Sequence, residues 1–286
     1  MDTINAFVYE LKQHHFTKAP EILNKLGTGA RNAPKTAVKN KAVKAVLTEV
    51  NTKQEILDIA VGLADTNDSA AKEIAAHLLG KVYEINPVHV SEKLRILADD
   101  ENWEVREWAA GACGDILSNY FGSFYNEMMN WTADKSGNVR RAAALAAKYA
   151  GKTRNREYAE PLLDLVEQLL TDSDSYVKKN LGQFAIGDGL LRYYPESTLA
   201  RLDNWIKMDD EYARWNVAKI FSAAEGMKHI CECKDVFQIL LEDDRNKVKR
   251  AVKSHTIKLR RSIRGCYTKF IPELPCSTQG EPDHIS

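Results

Sequence analysis

Apolar residues recur every three or four positions along most of the chain, with polar residues between them. Stretches such as EILDIAVGLA, SEKLRILA and AEPLLDLVEQLL show this spacing, which places the apolar side chains on one face of a helix. No stretch shows the period of two that is typical of β-strands. The pattern therefore predicts an all-α protein built from amphipathic helices of about 8 to 20 residues.

The helical pattern is also repeated along the chain. An aspartate is followed five positions later by an apolar residue and then usually by a basic one, as in DENWEVRE, DKSGNVRR, DSDSYVKK and DDRNKVKR, with weaker copies in DTNDSAAKE and DEYARWNVA. A repeat of this length is typical of an α-α superhelix, or solenoid, in which each unit contributes two helices. We therefore predict about six HEAT-like repeats. The copies begin at Asp65, Asp100, Asp134, Asp172, Asp210 and Asp243, which are 33 to 38 residues apart.

The repeats predict one domain. Because each helical pair buries its apolar face only against its neighbours, residues 1–270 are expected to form a single HEAT-like repeat domain, with an irregular N-terminal cap over 1–50. The segment 271–286, IPELPCSTQGEPDHIS, has three prolines and few apolar residues, so we expect a disordered tail.

Other features of the composition indicate a cytoplasmic protein without a metal. No apolar run approaches the ~20 residues that span a bilayer, so no membrane association is expected, and the acidic N-terminus does not resemble a signal peptide. The five cysteines show no disulfide framework. His229, Cys231 and Cys233 are three possible ligands at an unusual spacing, with no nearby fourth, so we predict no zinc site.

Charge is balanced overall but unevenly distributed. The chain has 40 basic and 40 acidic residues, so no overall field attracts a polyanion. Residues 245–270, however, contain ten lysines and arginines and no acid, and residues 11–53 hold nine basic residues against Glu21 and Glu49. Like charges at this density repel one another unless a phosphate-rich partner neutralises them, which favours nucleic acid over a merely solvated face.

A column of basic residues recurs at equivalent positions of the repeats. Equivalent positions in a solenoid line up along one face, so these side chains would form a basic stripe that contacts DNA phosphates. The alternative is structural, because each basic residue can pair with a carboxylate of a neighbouring repeat. The predicted DNA-binding residues are Lys72, Arg106, Arg140, Arg141, Lys178, Lys179, Arg214, Lys247, Lys249 and Arg250.

Two stretches, 72–112 and 172–224, resemble the AlkD and AlkC DNA glycosylases of the DNA alkylation repair superfamily. The second stretch is more similar to the AlkC branch, in its acidic turn, its basic pair and a Tyr-Pro-Glu segment that leads to an Arg-Trp helix. The resemblance implies that the concave face of the solenoid holds double-stranded DNA and that purines made cationic by alkylation at N3 or N7 are removed. It requires no metal or organic cofactor. It also implies a monomer that is nucleoid-associated when bound to DNA.

The resemblance places candidate catalytic residues on one helix. The family pattern of a tryptophan followed four positions later by an aspartate falls on Trp103 and Glu107, with glutamate in place of aspartate. Glu107 also has a structural interpretation, as an acid that favours the helix dipole. The family's arginine in the next repeat falls on Arg140 or Arg141, and the residues leave that choice open.

A second family tryptophan falls near Gln183 or Phe184, and neither is tryptophan. This departure leaves two alternatives to an alkylpurine glycosylase: a non-catalytic DNA-binding paralogue, and a HEAT scaffold for a protein partner. Trp103 and Trp108 are five residues apart and cannot share a helical face, so at most one faces the groove. Trp108 is flanked by alanines, which favours the core for that side chain.

Overall fold

The computed structural model describes residues 2–28 and 33–253. Within these two ranges every regular element is helical, which confirms the all-α prediction. The predicted tail at 271–286 and the basic residues from 254 onward lie outside the described residues. None of the described helices has the length and apolar character needed to cross a membrane.

From residue 53 the helices follow one another in pairs, and each pair is one repeat. The N-terminal cap comprises α1 (Thr3–Lys12), α2 (Lys18–Asn24) and α3 (Thr36–Glu49). The first helices of the pairs are α4 (Lys53–Ala64), α6 (Pro87–Ala98), α8 (Phe121–Trp131), α10 (Ala159–Glu167), α13 (Pro195–Trp205) and α16 (Lys234–Glu242). The second helices are α5 (Ser69–Lys81), α7 (Trp103–Asn119), α9 (Gly137–Gly151), α11 (Ser175–Asn180) with its continuation, α14 (Glu211–Ile220) and a helix over 246–253.

Three short elements complete the connections. The 3₁₀ turns Tyr83–Ile85 and Arg156–Tyr158 precede α6 and α10, and α15 (Ala224–Lys228) links α14 to α16. The continuation of α11 is a ten-residue π-helix, Leu181–Leu190, followed by α12 (Leu191–Tyr193). Among the described parts of the second helices, the π-helix is the segment that departs from α-helical geometry, and π-turns recur at functional sites.

The second helices pack directly on one another. α5 lies on α7, α7 on α9, α9 on the π-helix and the π-helix on α14, whereas the first helices touch each other at few positions. The second helices therefore form one closely packed layer along the stack. We call this set of helices the second-helix layer. The core beneath it is continuous from the N-terminal cap to the last repeat.

The recurring aspartates have a defined structural role. Asp134 Oδ1 accepts the backbone N–H of Ser136 at 2.8 Å, and the Ser136 side chain then caps the first turn of α9. Asp172 does the same for Asp174, which caps α11. In these two repeats the aspartate therefore precedes the cap by two residues. Asp210 differs, because it caps α14 itself.

Candidate functional site

Glu107 lies near the middle of the second-helix layer, and α9 supplies two donors to its carboxylate. Arg141 Nη2 lies 2.5 Å from Oε2, and Tyr149 Oη donates to Oε1 at 2.7 Å. Both partners come from the neighbouring repeat, so Glu107 does more than complement the dipole of its own helix. With both oxygens engaged and 34 % of the side chain exposed, the carboxylate is fixed in direction yet accessible.

The close approach of α7 and α9 depends on a glycine. A β-carbon at Gly114 would lie 2.5 Å from the β-carbon of Tyr149, so no larger residue fits without a shift. Burial, and then the hydrogen bond to Glu107, raises the pKa of Tyr149 well above its usual range. Tyr149 is therefore a neutral phenol at physiological pH, and its hydroxyl donates a hydrogen bond to the carboxylate.

A cavity of about 310 Å³ opens on one side of Glu107. Its aromatic walls include Trp108 and His77, whose ring centres are 5.7 Å apart at an angle of 56°. Burial lowers the pKa of His77 below its ordinary value of 6.5, which leaves the ring neutral at pH 7. Neutral aromatic walls beside carboxylates suit a flat cationic group. The cavity is lined by His77, Glu107, Trp108, Gly111, Ala112, Asp115 and Tyr149.

A second cavity, of about 240 Å³, opens on the other side of Glu107. It contains both positions that the family resemblance aligns with a second tryptophan, Gln183 and Phe184, and the Phe184 ring is 39 % exposed. An aromatic surface is thus present beside Glu107 although the tryptophan is not. The cavity is lined by Glu107, Arg141, Lys179, Asn180, Gln183 and Phe184.

Arg141, rather than Arg140, is the arginine beside Glu107. Its guanidinium carbon lies 4.4 Å from the centre of the Tyr176 ring, and its side chain is 6 % exposed. Within the described part of the chain, its buried Nε and Nη1 have no hydrogen-bond acceptor. Buried donors without an acceptor are costly, and an anionic ligand in the second cavity would relieve that cost.

Several members of the predicted basic stripe pair with the next repeat instead of pointing freely into the groove. Lys72 lies 2.7 Å from Asp100, and Arg214 lies 2.9 Å from Asp243. Arg140 makes two hydrogen bonds to Asp172, at 2.6 and 3.1 Å. These are the repeat-to-repeat pairs that the sequence left open as the structural alternative, and contact between these residues and DNA stays a prediction.

The other members of the stripe divide between bound and exposed side chains. Arg106 Nη1 donates to the carbonyls of Asp100 and Glu101, at 2.7 and 2.9 Å. Lys247 pairs with Glu211 at 2.6 Å, and Lys178 Nζ lies 4.2 Å from the Tyr212 ring centre. Among residues 2–28 and 33–253, no acceptor or carboxylate partner is found for three exposed members, Lys179, Lys249 and Arg250.

Residues 31–186 match the sequence model of the DNA alkylation repair enzyme family. The chain belongs to this family. It is a DNA alkylation repair protein built from HEAT-like repeats, which confirms the resemblance drawn from its motifs. A search of curated protein sequences finds no match to this chain.

Solved structures show the same fold. AlkD2 from Streptococcus mutans is 18 % identical, with a TM-score of 0.58 over 74 % of this chain and 97 % of its own. The protein smu.31 from Streptococcus mutans UA159 is 19 % identical, with a TM-score of 0.55 over 70 % and 95 % of the two chains. Both comparisons support an α-solenoid.

The two tryptophans of α7 occupy different places in this family member. Trp103 is the first residue of the helix, one turn before Glu107, and is 55 % exposed. Trp108 packs against the core, as its alanine neighbours suggested, and also lines the first cavity. The aromatic ring that shares a cavity with Glu107 is therefore Trp108, while Trp103 stays a predicted catalytic residue without a described contact to the carboxylate.

Sequence reasoning missed Tyr149, His77 and Lys148 as members of this region. A signal for Tyr149 exists in hindsight, because it follows Arg141 by eight positions and so shares the same side of α9. The His229, Cys231 and Cys233 segment shows no ligand cluster, and the described residues hold no group of three or more histidines, cysteines or acids that could hold a metal. His229 Nδ1 instead lies 3.1 Å from Glu232.

Proposed function

We propose that this family member binds duplex DNA along the second-helix layer and hydrolyses the N-glycosidic bond of purines made cationic by alkylation. The observation that carries the proposal is the position of Glu107. Its carboxylate is held by Arg141 and Tyr149 at the boundary of two cavities, one with aromatic walls and one lined by Arg141 and Lys179.

The chemistry asks for little beyond a well-placed carboxylate. An alkylated purine with a positive charge is already a good leaving group, so its bond to deoxyribose breaks without protonation by the protein. Positive charge then develops on the sugar, and a carboxylate fixed beside it stabilises that charge. Glu107 fits this role because its two donors hold it in place before the substrate arrives, and water adds to the sugar to give an abasic site.

The first cavity supports recognition of a cationic base. Trp108 and Tyr149 present aromatic surfaces, and a cation over such a surface gains about 0.5–2 kcal/mol. Asp115 adds a carboxylate at the rim, although it is paired with Lys81 at 2.8 Å. The combination favours a charged purine over a neutral one.

The second cavity supports contact with the DNA backbone. Arg141 and the exposed Lys179 both line it, and phosphate oxygens are natural acceptors for guanidinium and ammonium groups. Each cation that neutralises a phosphate releases counterions and makes binding salt-dependent. We therefore place a phosphate near Arg141 and the adjacent deoxyribose near Glu107.

Two observations favour other functions. The replacement of the second family tryptophan at Gln183 and Phe184 favours a non-catalytic protein that binds DNA and releases no base. The pairing of Lys72, Arg140 and Arg214 with neighbouring carboxylates favours a scaffold for a protein partner, which would not bind DNA at all.

A binding titration separates the scaffold from the two DNA-binding functions. The affinity of the full chain for a short duplex should fall steeply with salt, and Lys179→Gln should make the slope of log affinity against log salt shallower by about 1. Lys228→Gln, which alters an exposed lysine paired with Glu225, is the matched control and should leave the slope unchanged. Absence of binding at low salt would support the scaffold.

A further inference from the structure

Lys148, on α9, is almost fully buried and has no counterion among the described residues. Its relative exposure is 8 %, and no carboxylate of the described chain lies within ion-pair distance of its ammonium. Its Nζ lies 2.8 Å from the centre of the Phe184 ring. Lysine is seldom buried unless paired, because the desolvation of an ammonium is costly. This residue therefore calls for a functional explanation.

The neighbouring π-helix leaves space for the Lys148 side chain. A β-carbon at Gly189 would lie 2.8 Å from Cγ of Lys148, so a larger residue there would displace the lysine stem. Gly189 belongs to the π-helix Leu181–Leu190, the segment that also carries Phe184. The irregular helix and its glycine thus create the space in which Lys148 lies.

Lys148 adjoins the candidate site. It precedes Tyr149 and follows Arg141 by seven positions, which places it on the same side of α9 as both donors to Glu107. Phe184, which its ammonium contacts, lines the second cavity with Glu107. The amine therefore lies against a ring of the cavity in which the proposed function places a DNA phosphate, next to the deoxyribose.

The charges around Lys148 allow the free amine to form near neutral pH. Burial lowers the pKa of Lys148 to about 8; Asp188 and Glu107 act in the opposite direction, and Lys152 adds to the lowering. An unprotonated amine is the nucleophile that attacks a carbonyl, and desolvated lysines serve this purpose in enzymes.

We propose that Lys148 is a nucleophilic amine that forms a Schiff base with the aldehyde of an abasic deoxyribose, giving the protein an abasic-site lyase activity. The proposal rests on the proposed function for the position of the bound DNA, and it adds a second reaction to base removal. The substrate is the open-chain aldehyde at C1′ of an abasic site, which is the product of base removal.

The reaction balances without an external oxidant or reductant. The unprotonated Lys148 amine adds to C1′, one proton is taken up from water and a water molecule leaves, which forms the C1′–N double bond of a protonated imine. Water then accepts a proton from C2′, the C3′–O bond breaks, the 3′ phosphate leaves with its bonding electron pair and a C2′–C3′ double bond forms. Water finally hydrolyses the imine, which frees the amine and an unsaturated aldehyde on the 5′ fragment.

The test uses the full chain and a duplex that carries one preformed abasic site, so that base removal is not required. Sodium borohydride reduces an imine to a stable amine, and we expect a covalent protein–DNA adduct on a denaturing gel. The adduct should be lost in Lys148→Met, which keeps the apolar stem, and retained in Lys228→Met, which alters an exposed lysine paired with Glu225. Adduct formation should also rise with pH through about 8 in the wild type.

Two other outcomes of this experiment would overturn the proposal. An adduct that survives Lys148→Met and disappears in Lys179→Met would assign the reaction to the exposed lysine of the second cavity and overturn the proposal. No adduct from a wild-type protein that binds the abasic duplex would also overturn it, while base release from alkylated DNA would still stand. Circular dichroism and duplex binding of Lys148→Met show whether loss of the adduct reflects chemistry or loss of the fold.

Discussion

Arg141 and Glu107 meet across the interface between α9 and α7, with Nη2 2.5 Å from Oε2. The arginine is almost fully buried and the glutamate is one-third exposed, so the pair has a buried, rigid side and an accessible side. Because of this asymmetry, the buried Arg141 orients the carboxylate, while the exposed part of Glu107 is accessible to a substrate. The predictions about activity follow from this geometry.

The first prediction concerns the charge on Glu107. Glu107→Gln preserves the size of the side chain but removes the negative charge that would stabilise the sugar, so base release from alkylated duplex DNA should fall by about 100-fold or more. DNA affinity should change little, because Glu107 contacts no phosphate in the proposed complex. Glu101→Gln, an exposed carboxylate in the turn before α7, is the control and should release base normally. Equal loss in both variants would argue against a role for Glu107.

The second prediction concerns the glycine that allows α7 and α9 to approach. Gly114→Ala would place a β-carbon 2.5 Å from that of Tyr149, so we expect destabilisation of about 1–3 kcal/mol in urea unfolding. Gly111→Ala, one turn earlier, meets no atom within 4 Å and should instead stabilise the helix by up to about 1 kcal/mol. Opposite signs for two identical substitutions on one helix would support the packing; equal effects would contradict it.

The third prediction concerns the pairing between repeats. The Asp172 side chain is 7 % exposed, receives two hydrogen bonds from Arg140 and accepts the N–H of Asp174, so Asp172→Ala should reduce the free energy of unfolding by about 2 kcal/mol or more. Lys228→Ala removes an exposed pair with Glu225 and should cost about 0.5 kcal/mol or less. Urea unfolding of both variants measures the difference, and a negligible cost for Asp172→Ala would mean that the ladder of pairs contributes no stability.

The fourth prediction concerns acid stability. Burial alone would raise the pKa of Asp243, but hydrogen bonds from Arg245 and Arg214 outweigh it and hold the pKa well below its usual range. A carboxylate whose pKa is lower in the folded state contributes stability above its unfolded pKa of about 3.9, and that contribution is lost as the pH falls below this value.

The wild type should therefore lose more free energy of unfolding between about pH 5 and pH 2 than Asp243→Asn, although the variant should be less stable at neutral pH. Urea unfolding of both proteins at a series of pH values measures the two slopes. Parallel curves for the two proteins would contradict the pKa shift at Asp243.

The helical periodicity and the recurring aspartate predicted the solenoid because both are local consequences of its construction. The spacing of the apolar residues indicates the buried face of each helix. The aspartate indicates the turn in which it accepts a backbone N–H. The family resemblance likewise predicted Glu107 as a site residue from the sequence of a single helix, α7.

The partners of Glu107 were harder to predict because they depend on contacts between helices. Arg140 and Arg141 are adjacent in the chain, yet one pairs with Asp172 in the next repeat and the other with Glu107 in the preceding one. The rotation of α9 about its own axis determines which of the two arginines faces Glu107. The sequence does not specify that rotation to within one residue. Lys148 was overlooked because its burial depends on Gly189, forty-one positions later in the chain.

The central claim is that Glu107 belongs to a working glycosylase site. The most direct test incubates the full wild-type chain with randomly alkylated duplex DNA and measures the free bases released, by chromatography, against a protein-free control. The account predicts release of N3- or N7-alkylated purines above the spontaneous rate and no release of unmodified bases. Tight, salt-dependent binding of the same DNA with no release above the control would contradict it and leave a DNA-binding protein without this chemistry.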